Sequence, residues 1–473
     1  MNALVEPIRL TDFMDDYESS TEEFFQTARM GGRDHSSLEA KLVSDFEQQN
    51  RGVLKHYRIS VRYKNSGGGG RICFSTGEFI GALPLRSPLS GKWDYRAIIR
   101  PRIGWSGIGG MLSTMGWKVI PTLQKLPSLP QSAREIPSWV IASVIIARIE
   151  LMLKDVVRKY MPMVEILKSP RGRIDWANYA YRMVPSCKWT DLKCEFSELA
   201  NHPDLMGVIK YTLQKIEGEL LSCAEGGVVA LDLIQRARKL LKVVAAYLPV
   251  RPTARMLTPL FYGRSVPSES LIEGLEAIQW SAEERGLAGL SDLTGLPWRM
   301  SISDFFEAYV ETIIRRVAIY TGGVVTCGRQ NETVIPVSWE SNFLGTQKSL
   351  RPDVVIKKDD EVIIVDAKFK GYWRQIFSRR WEDVSKEFQE EHRNDFLQVL
   401  AYSTCFAVSK LTVCLVFACE RSEYEAFLRR GILHRRAVIG RQGQSINLVL
   451  TAVPMQGNID KVASELSVCL MRK

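Results

Sequence analysis

The sequence predicts a multidomain α+β protein. It has an amino-terminal β-rich unit, a central helical region and a carboxy-terminal α/β domain on a mixed sheet. Three observations carry this. The chain has 473 residues, and at roughly 150 residues per domain that suggests about three domains. Hydrophobic residues make up 45% and charged residues 25%, which is ordinary globular usage and excludes a disordered, collagen-like or disulfide-stapled chain. The period of the apolar pattern also changes along the chain, from two to about 3.6, and then to alternating stretches of each.

Residues 1–54 read as a polar leader with short helical pieces. It is acidic at first (Asp12, Asp15, Asp16, Glu18, Glu22, Glu23), and is expected to be loosely packed or to dock on a partner. Residues 55–125 form the β-rich unit. YRISVRYK from Tyr57 and RICFST from Arg71 alternate like strands. Between them, Ser66 to Gly70 makes a hairpin with a flexible tip. Gly107-Ile108-Gly109-Gly110 lacks a following Gly-Lys-Ser/Thr and reads as a turn into a short helix, not as a phosphate loop.

Residues 126–300 read as helical. SWVIASVIIARIELMLKDVVRKYM is apolar at helical spacing, and Pro162 ends or kinks it. Further helices are expected over 202–223, 228–248 and 268–285. Residues 301–473 alternate helix and strand: a helix from Ile302 to Ala318, strands near Asp353–Ile356 and Glu361–Ala367, a helix from about Trp381, then the strands LTVCLVFAC and SINLVLTAV.

Charge and cysteine usage bound the function. Lys and Arg number 63 against 53 Asp and Glu, a net +10, which fits a polyanionic partner without requiring one. Nine cysteines without a Cys-x-x-Cys pair, and only five histidines, exclude a zinc finger or ribbon. The thiols read as reduced, in a cytosol-like compartment. The amino terminus lacks a signal-peptide core. The longest apolar stretch, Trp139 to Ala147, is far short of the about 20 residues that span a bilayer. The expectation is a soluble, cytoplasmic protein with no membrane partner.

The chemistry lies in RPDVVIKKDDEVIIVDAKFK. Asp353 begins one strand, and Lys357 to Glu361 make a polar turn. Val362 to Val365 form a wholly apolar strand, as a strand covered on both faces requires. That strand delivers Asp366, Ala367 and Lys368. Strand alternation points Asp366 and Lys368 the same way, and the hairpin brings Asp353 close to Asp366. Paired carboxylates resist joint ionisation. A hard divalent cation relieves that, and oxygen ligands suit Mg²⁺, with Mn²⁺ an alternative. Such a cation polarises a phosphodiester and lowers the pKa of a bound water. Lys368 would orient or help deprotonate that water, and stabilise developing charge in the transition state. The plain alternative is that both aspartates cap strands and Lys368 ends in solvent. Glu307, in DFFEAYVE, could complete the metal site. Gln398 and Tyr402 lie four apart on one helix face, suited to holding a phosphate or positioning the lysine. Arg374, Arg379 and Arg380, with Trp373 and Trp381 interleaved, and a second cluster of Arg429, Arg430, His434, Arg435, Arg436 and Arg441, could neutralise DNA phosphates.

Taken in order, Glu307, Pro352-Asp353, Asp366-Ala367-Lys368 and Gln398-x-x-x-Tyr402 resemble the PD-(D/E)xK nuclease superfamily, with Asp where many members have Glu in the third motif. Upstream, AIIRPRIGWSGIGGMLSTMG, SPRGRIDW, SCKWTDLKCEFSELANHPDLMGVIKYTLQKI and SDFFEAYVE resemble the McrC family of McrBC-type restriction systems. The resemblance covers most of residues 95–405. It implies a Mg²⁺-dependent endodeoxyribonuclease that cuts double-stranded DNA. It also implies a hetero-oligomer with an AAA+ GTPase or ATPase of McrB type, which the amino-terminal portion engages and stimulates. The sequence holds no Walker A motif, so the motor would be another chain. Two other readings stay open: a non-cleaving adaptor of an AAA+ motor, and a nuclease of the same fold paired with a helicase or transposition ATPase.

Overall fold

The structure is a computed structural model. It describes residues 7–26, 35–66, 69–124, 126, 137–156, 159–222, 227–261, 268–282, 297–340, 347–370, 381–441 and 444–471. The chain forms two compact units, 1–131 together with 296–473, and 132–295. It is mixed α and β, with several sheets.

The first unit begins with β1 (Ile8–Thr11), β2 (Tyr17–Ser20), α1 (Thr21–Phe25) and α2 (His35–His56), followed by β3 (Ile59–Ser66), β4 (Gly69–Thr76), β5 (Phe79–Leu85), β6 (Tyr95–Arg100), α3 (Gly104–Thr114) and β7 (Thr122–Leu123). The leader departs from the expectation of loose packing. β1 pairs in parallel with β6, and β2 pairs with β4. Ile8 and Leu10 are buried, so two apolar residues at strand period outweigh the acidic residues around them. In α2, Val43, Phe46, Asn50 and Leu54 are buried at helical spacing. Phe24, Phe25, Phe46, Phe74 and Tyr95 close this core, Phe24 stacking on Tyr95 at 5.1 Å.

The second unit holds α4 (Ser138–Asp155), β8 (Lys159–Leu167), β9 (Arg173–Ile174), β10 (Leu192–Ala200), a short helical turn α5 (Trp176–Asn178), and the helices α6 (Pro203–Ser222), α7 (Gly227–Val243), α8 (Ala254–Phe261) and α9 (Glu269–Ala282). The central region is therefore not wholly helical. A three-stranded sheet, β8-β10-β9, interrupts it. Pro162 lacks an N–H, so the helix cannot run through it, and it is placed in β8 opposite Ser197. This sheet and its turn expose Val164, Ile166, Trp176, Tyr181 and Trp189.

The first unit resumes with β11 (Trp298–Ser301) and α10 (Ile302–Thr321), then β12 (Val324–Cys327), β13 (Ile335–Pro336), β14 (Ser349–Leu350), β15 (Val354–Lys358), β16 (Glu361–Lys368), α11 (Lys386–Ser403), β17 (Lys410–Cys419), α12 (Arg421–Arg429), β18 (Arg435–Arg441), β19 (Gln444–Pro454) and α13 (Ile459–Met471). β11 pairs with β5 and β7, completing a five-stranded sheet of order β1-β6-β5-β11-β7. The strand leading into α10 thus belongs to the amino-terminal sheet. Gly81 permits this pairing, since a Cβ there would stand 2.1 Å from the Trp298 carbonyl oxygen. The Tyr57 hydroxyl donates to the same oxygen at 3.1 Å.

The carboxy-terminal sheet has six strands, β12-β15-β16-β17-β19-β18. Its centre, β16-β17-β19, is parallel, and its three outer pairings, β12-β15, β15-β16 and β19-β18, are antiparallel. Val362 to Val365 are all buried, as a strand covered on both faces requires. RRAVIGR, read in the sequence as part of a basic cluster, is the edge strand β18. Charged residues on an edge strand discourage further pairing.

Candidate active site

Three elements converge at the end of β16. The β15–β16 hairpin has register Val354 opposite Val365, which places Asp353 opposite Asp366, one step beyond the ladder. Asp353 turns back and accepts the Ala367 N–H at Oδ2, 2.8 Å away. Asp366 is buried, 1% exposed. Lys368, two residues on and on the same face, brings Nζ within 2.6 Å of Asp366 Oδ2. The two form a buried ion pair, in which the ammonium faces the carboxylate oxygen.

α11 supplies the other side. Ser385 caps it by accepting the Phe388 N–H. Lys368 Nζ donates to Gln398 Oε1 at 2.9 Å, and Gln398 Nε2 donates to the Tyr402 hydroxyl at 2.7 Å. Lys370 Nζ donates to both Asp395 carboxylate oxygens, at 2.8 and 2.9 Å. Asp395 Oδ1 also stands 3.8 Å from Lys368 Nζ.

α10 brings Glu307. It starts at a Ser301 cap, which accepts the Asp304 N–H, and stops at Gly322, whose φ of 74° continues no helix. Glu307 lies within electrostatic reach of Asp353 and Asp366, with Arg329 and Arg351 as its counter-charges.

The electrostatics follow from burial. Desolvation pushes the Asp353 carboxyl well above its ordinary range, and repulsion by Asp366 and Glu307 adds to this. Burial also raises Asp366, against the pull of Lys368. Burial raises Glu307, and the charges of Asp304 and Asp366 add to that. Lys368 ends above its usual value: desolvation lowers it, but the attraction of Asp366 and then Asp395 prevails. The pocket therefore disfavours its own negative charges and retains a protonated lysine.

The donors fit a hard dication in kind. Carboxylate oxygens are its preferred ligands, and the mutual repulsion of Asp353, Asp366 and Glu307 is what such a cation relieves. Among the described residues, however, no three His, Cys, Asp or Glu side chains are already grouped to hold a metal.

Residues 293–418, which contain every one of these side chains, match the family described as McrBC 5-methylcytosine restriction system component. The segment is McrBC-like. This agrees with the resemblance to the McrC family read from the sequence. Two solved structures are similar over long stretches at low identity. One is a refined half-complex from a tetradecameric assembly of Thermococcus gammatolerans McrB AAA+ hexamers with bound McrC. It shows 10% identity and a TM-score of 0.41, covering 98% of this chain and 100% of that one. The other is the Thermococcus gammatolerans McrBC complex, with 12% identity and a TM-score of 0.26, covering 66% of this chain and 88% of that one. No curated protein matches the chain.

Within the McrBC-like segment the structure brings together Asp353, Asp366, Lys368, Gln398 and Tyr402, with Glu307 in electrostatic range. Arg374, Arg379 and Arg380 lie outside the described residues. In the second basic cluster, His434 is turned inward onto Thr451 Oγ1 at 2.8 Å, and burial, aided by Arg436, pushes its pKa down to about 4. A neutral histidine does not neutralise phosphate. Sequence reasoning missed Asp395 and Lys370. The signal was present: Asp395, Gln398 and Tyr402 follow the spacing i, i+3, i+7 of one helix face. Among the described residues, no helix is long and apolar enough to cross a membrane.

Proposed function

We propose that this chain is the Mg²⁺-dependent DNA endonuclease subunit of an McrBC-type complex, and that its carboxy-terminal sheet is a PD-(D/E)xK nuclease core. The observation that carries the reading is the convergence on Lys368: Asp366 at 2.6 Å, Gln398 Oε1 at 2.9 Å, and Asp353 holding the intervening Ala367 N–H. Asp353 and Asp366, with Glu307, would hold the cation, which when bound supplies Lewis-acid activation of the phosphodiester and a water of lowered pKa.

The chain's own groups do the remainder. Asp366 and Gln398 orient the Lys368 ammonium, and Tyr402 fixes the Gln398 amide. Lys368 keeps its proton and presents positive charge where negative charge accumulates on the reacting phosphate. Arg374, Arg379 and Arg380 are assigned to DNA phosphates. The partner is assigned as an AAA+ NTPase of McrB type, engaged through the amino-terminal portion, in a cytoplasmic hetero-oligomer.

The test is cleavage of modified and unmodified duplex DNA with Mg²⁺ by the full chain, alone and with an AAA+ NTPase of McrB type from the same organism. Weak cutting alone and strong cutting together are expected. Asp366→Ala and Lys368→Ala should each abolish cutting while the complex still assembles and hydrolyses nucleotide. Normal cutting by Asp366→Ala would show the centre to be misassigned. A wild-type complex that assembles but never cuts would favour the adaptor reading.

A further inference from the structure

The amino-terminal sheet reaches the residue after Lys368 through Arg102 and Phe13. Asp12, at the end of β1, is 2% exposed. Its Oδ1 accepts the Arg102 N–H at 2.6 Å, and its Oδ2 stands 3.4 Å from Arg102 Nε. The guanidinium lies 5.2 Å from the centre of the Phe13 ring and 4.5 Å from that of Phe369, within cation–π range of both. Phe13 and Phe369 also touch, with ring centres 5.8 Å apart.

The far side of the stack matters most. Phe369 directly follows Lys368. It is buried and packs on Phe306 at 5.7 Å, and Phe306 directly precedes Glu307. One aromatic contact therefore joins the backbones of the strand bearing the lysine and the helix bearing the glutamate. On the near side, Phe13 holds a left-handed φ of 50°, with its N–H on the Gly77 carbonyl at 3.0 Å. An aromatic residue rarely adopts that conformation unless its surroundings impose it.

We propose that Arg102, anchored by Asp12 and packed against the touching rings of Phe13 and Phe369, is a positioning residue that fixes the strand end carrying Lys368 and couples the amino-terminal sheet to the cutting centre. This rests on the nuclease reading above for its chemical meaning. A motor engaged on the amino-terminal portion would then act on the centre through Arg102, and side-chain placement at the level of an ångström governs rate.

Two measurements test this on the full-length chain. The first is hydrogen–deuterium exchange, which does not require that the protein cut DNA. In Arg102→Ala, the amides of 366–369 should exchange about tenfold faster, a local opening, while those of 411–417 in the neighbouring strand stay unchanged. The second is cleavage of duplex DNA by the complex with its AAA+ partner and Mg²⁺. The rate at saturating DNA should fall about tenfold with DNA affinity unchanged. Arg102→Ala leaves a buried carboxylate without its counter-charge. If that variant does not fold, Asp12→Asn combined with Arg102→Met removes both charges and carries the same expectations. Unchanged exchange at 366–369 in a folded variant would overturn the proposal, as would faster exchange with an unaltered cleavage rate. If the wild-type complex does not cut at all, the nuclease reading fails, and the exchange result alone decides whether Arg102 holds the strand.

Discussion

Asp353 accepts the backbone N–H of Ala367 at 2.8 Å, so the first carboxylate of the site grips the peptide between the second carboxylate and the lysine. The bond gives Asp353 two roles, as an acceptor that shapes the strand end and as a charge held near Asp366. The two can be separated. Asp353→Asn keeps an oxygen for the Ala367 N–H and removes the charge. Burial and repulsion raise the Asp353 pKa, and a group raised on folding stabilises the protein below its unfolded pKa, with that contribution lost as pH rises through the folded value. At neutral pH the charge is therefore a cost. Asp353→Asn should gain about 0.5–2 kcal/mol in denaturant unfolding at pH 7, on the scale of other relieved functional strain, and should lose cleavage. A variant less stable than wild type would mean that the charge is compensated.

Metal binding should show the same linkage. A cation must displace protons from carboxyls that hold them above the ordinary range. Mg²⁺ should raise the unfolding temperature at pH 8, by about 2.7 kcal/mol of stabilisation at a hundredfold excess over Kd. The effect should fade as pH drops, and fade before a typical surface carboxylate titrates. Thermal unfolding with and without Mg²⁺ at several pH values checks this. A shift that is equal at pH 5 and pH 8 would count against a site made of these groups.

Gly81 ties the fold to the site. Its Cβ, were there one, would meet the Trp298 carbonyl oxygen at 2.1 Å, and that atom is backbone and cannot swing away. β11 runs directly into α10 and so to Glu307. Gly81→Ala should cost about 1–3 kcal/mol, as overpacking does. Chemical denaturation would measure it, and a neutral result would show that the two strands can separate without loss.

The carboxy-terminal domain was legible because its signals are local. The apolar run Val362 to Val365, the hairpin turn at Asp359 and Asp360, and Asp366 and Lys368 two apart follow from strand alternation alone, and the ladder from Val354–Val365 to Lys358–Glu361 keeps them in register. Other features depend on distant partners. β1 is four residues long and reads as acidic leader until β6 is known to lie beside it. The sheet β8-β10-β9 hides because Val164 and Ile166 face solvent, so its apolar pattern does not mark a core. The link from Arg102 to Phe369 spans the whole central region in sequence, and no periodicity predicts it. Asp395 was missed for a different reason: a charged residue in a mostly polar helix looks solvated, whereas its carboxylate is turned inward onto two lysines.

That inward turn makes Asp395 the sharpest remaining test. It is 5% exposed, accepts two hydrogen bonds from Lys370 and stands 3.8 Å from Lys368. Asp395→Asn keeps the shape and one acceptor but leaves two neighbouring ammonium groups with less negative charge between them. Hydrogen bonds to charged groups contribute about 1.5–3 kcal/mol. Because Lys370 remains partly in solvent, the loss should fall at the lower end, about 1–2 kcal/mol in denaturant unfolding. Lys368 would keep Asp366 and Gln398 as partners, so cleavage should fall but not vanish, by about tenfold, within the range that misplacing a reacting group gives. Lys370→Met in the same chain removes the second ammonium. If Asp395 serves to balance the pair of lysines, the double variant should recover part of the lost stability. If it recovers none, Asp395 acts on Lys368 alone, and Lys370 is only its surface cover.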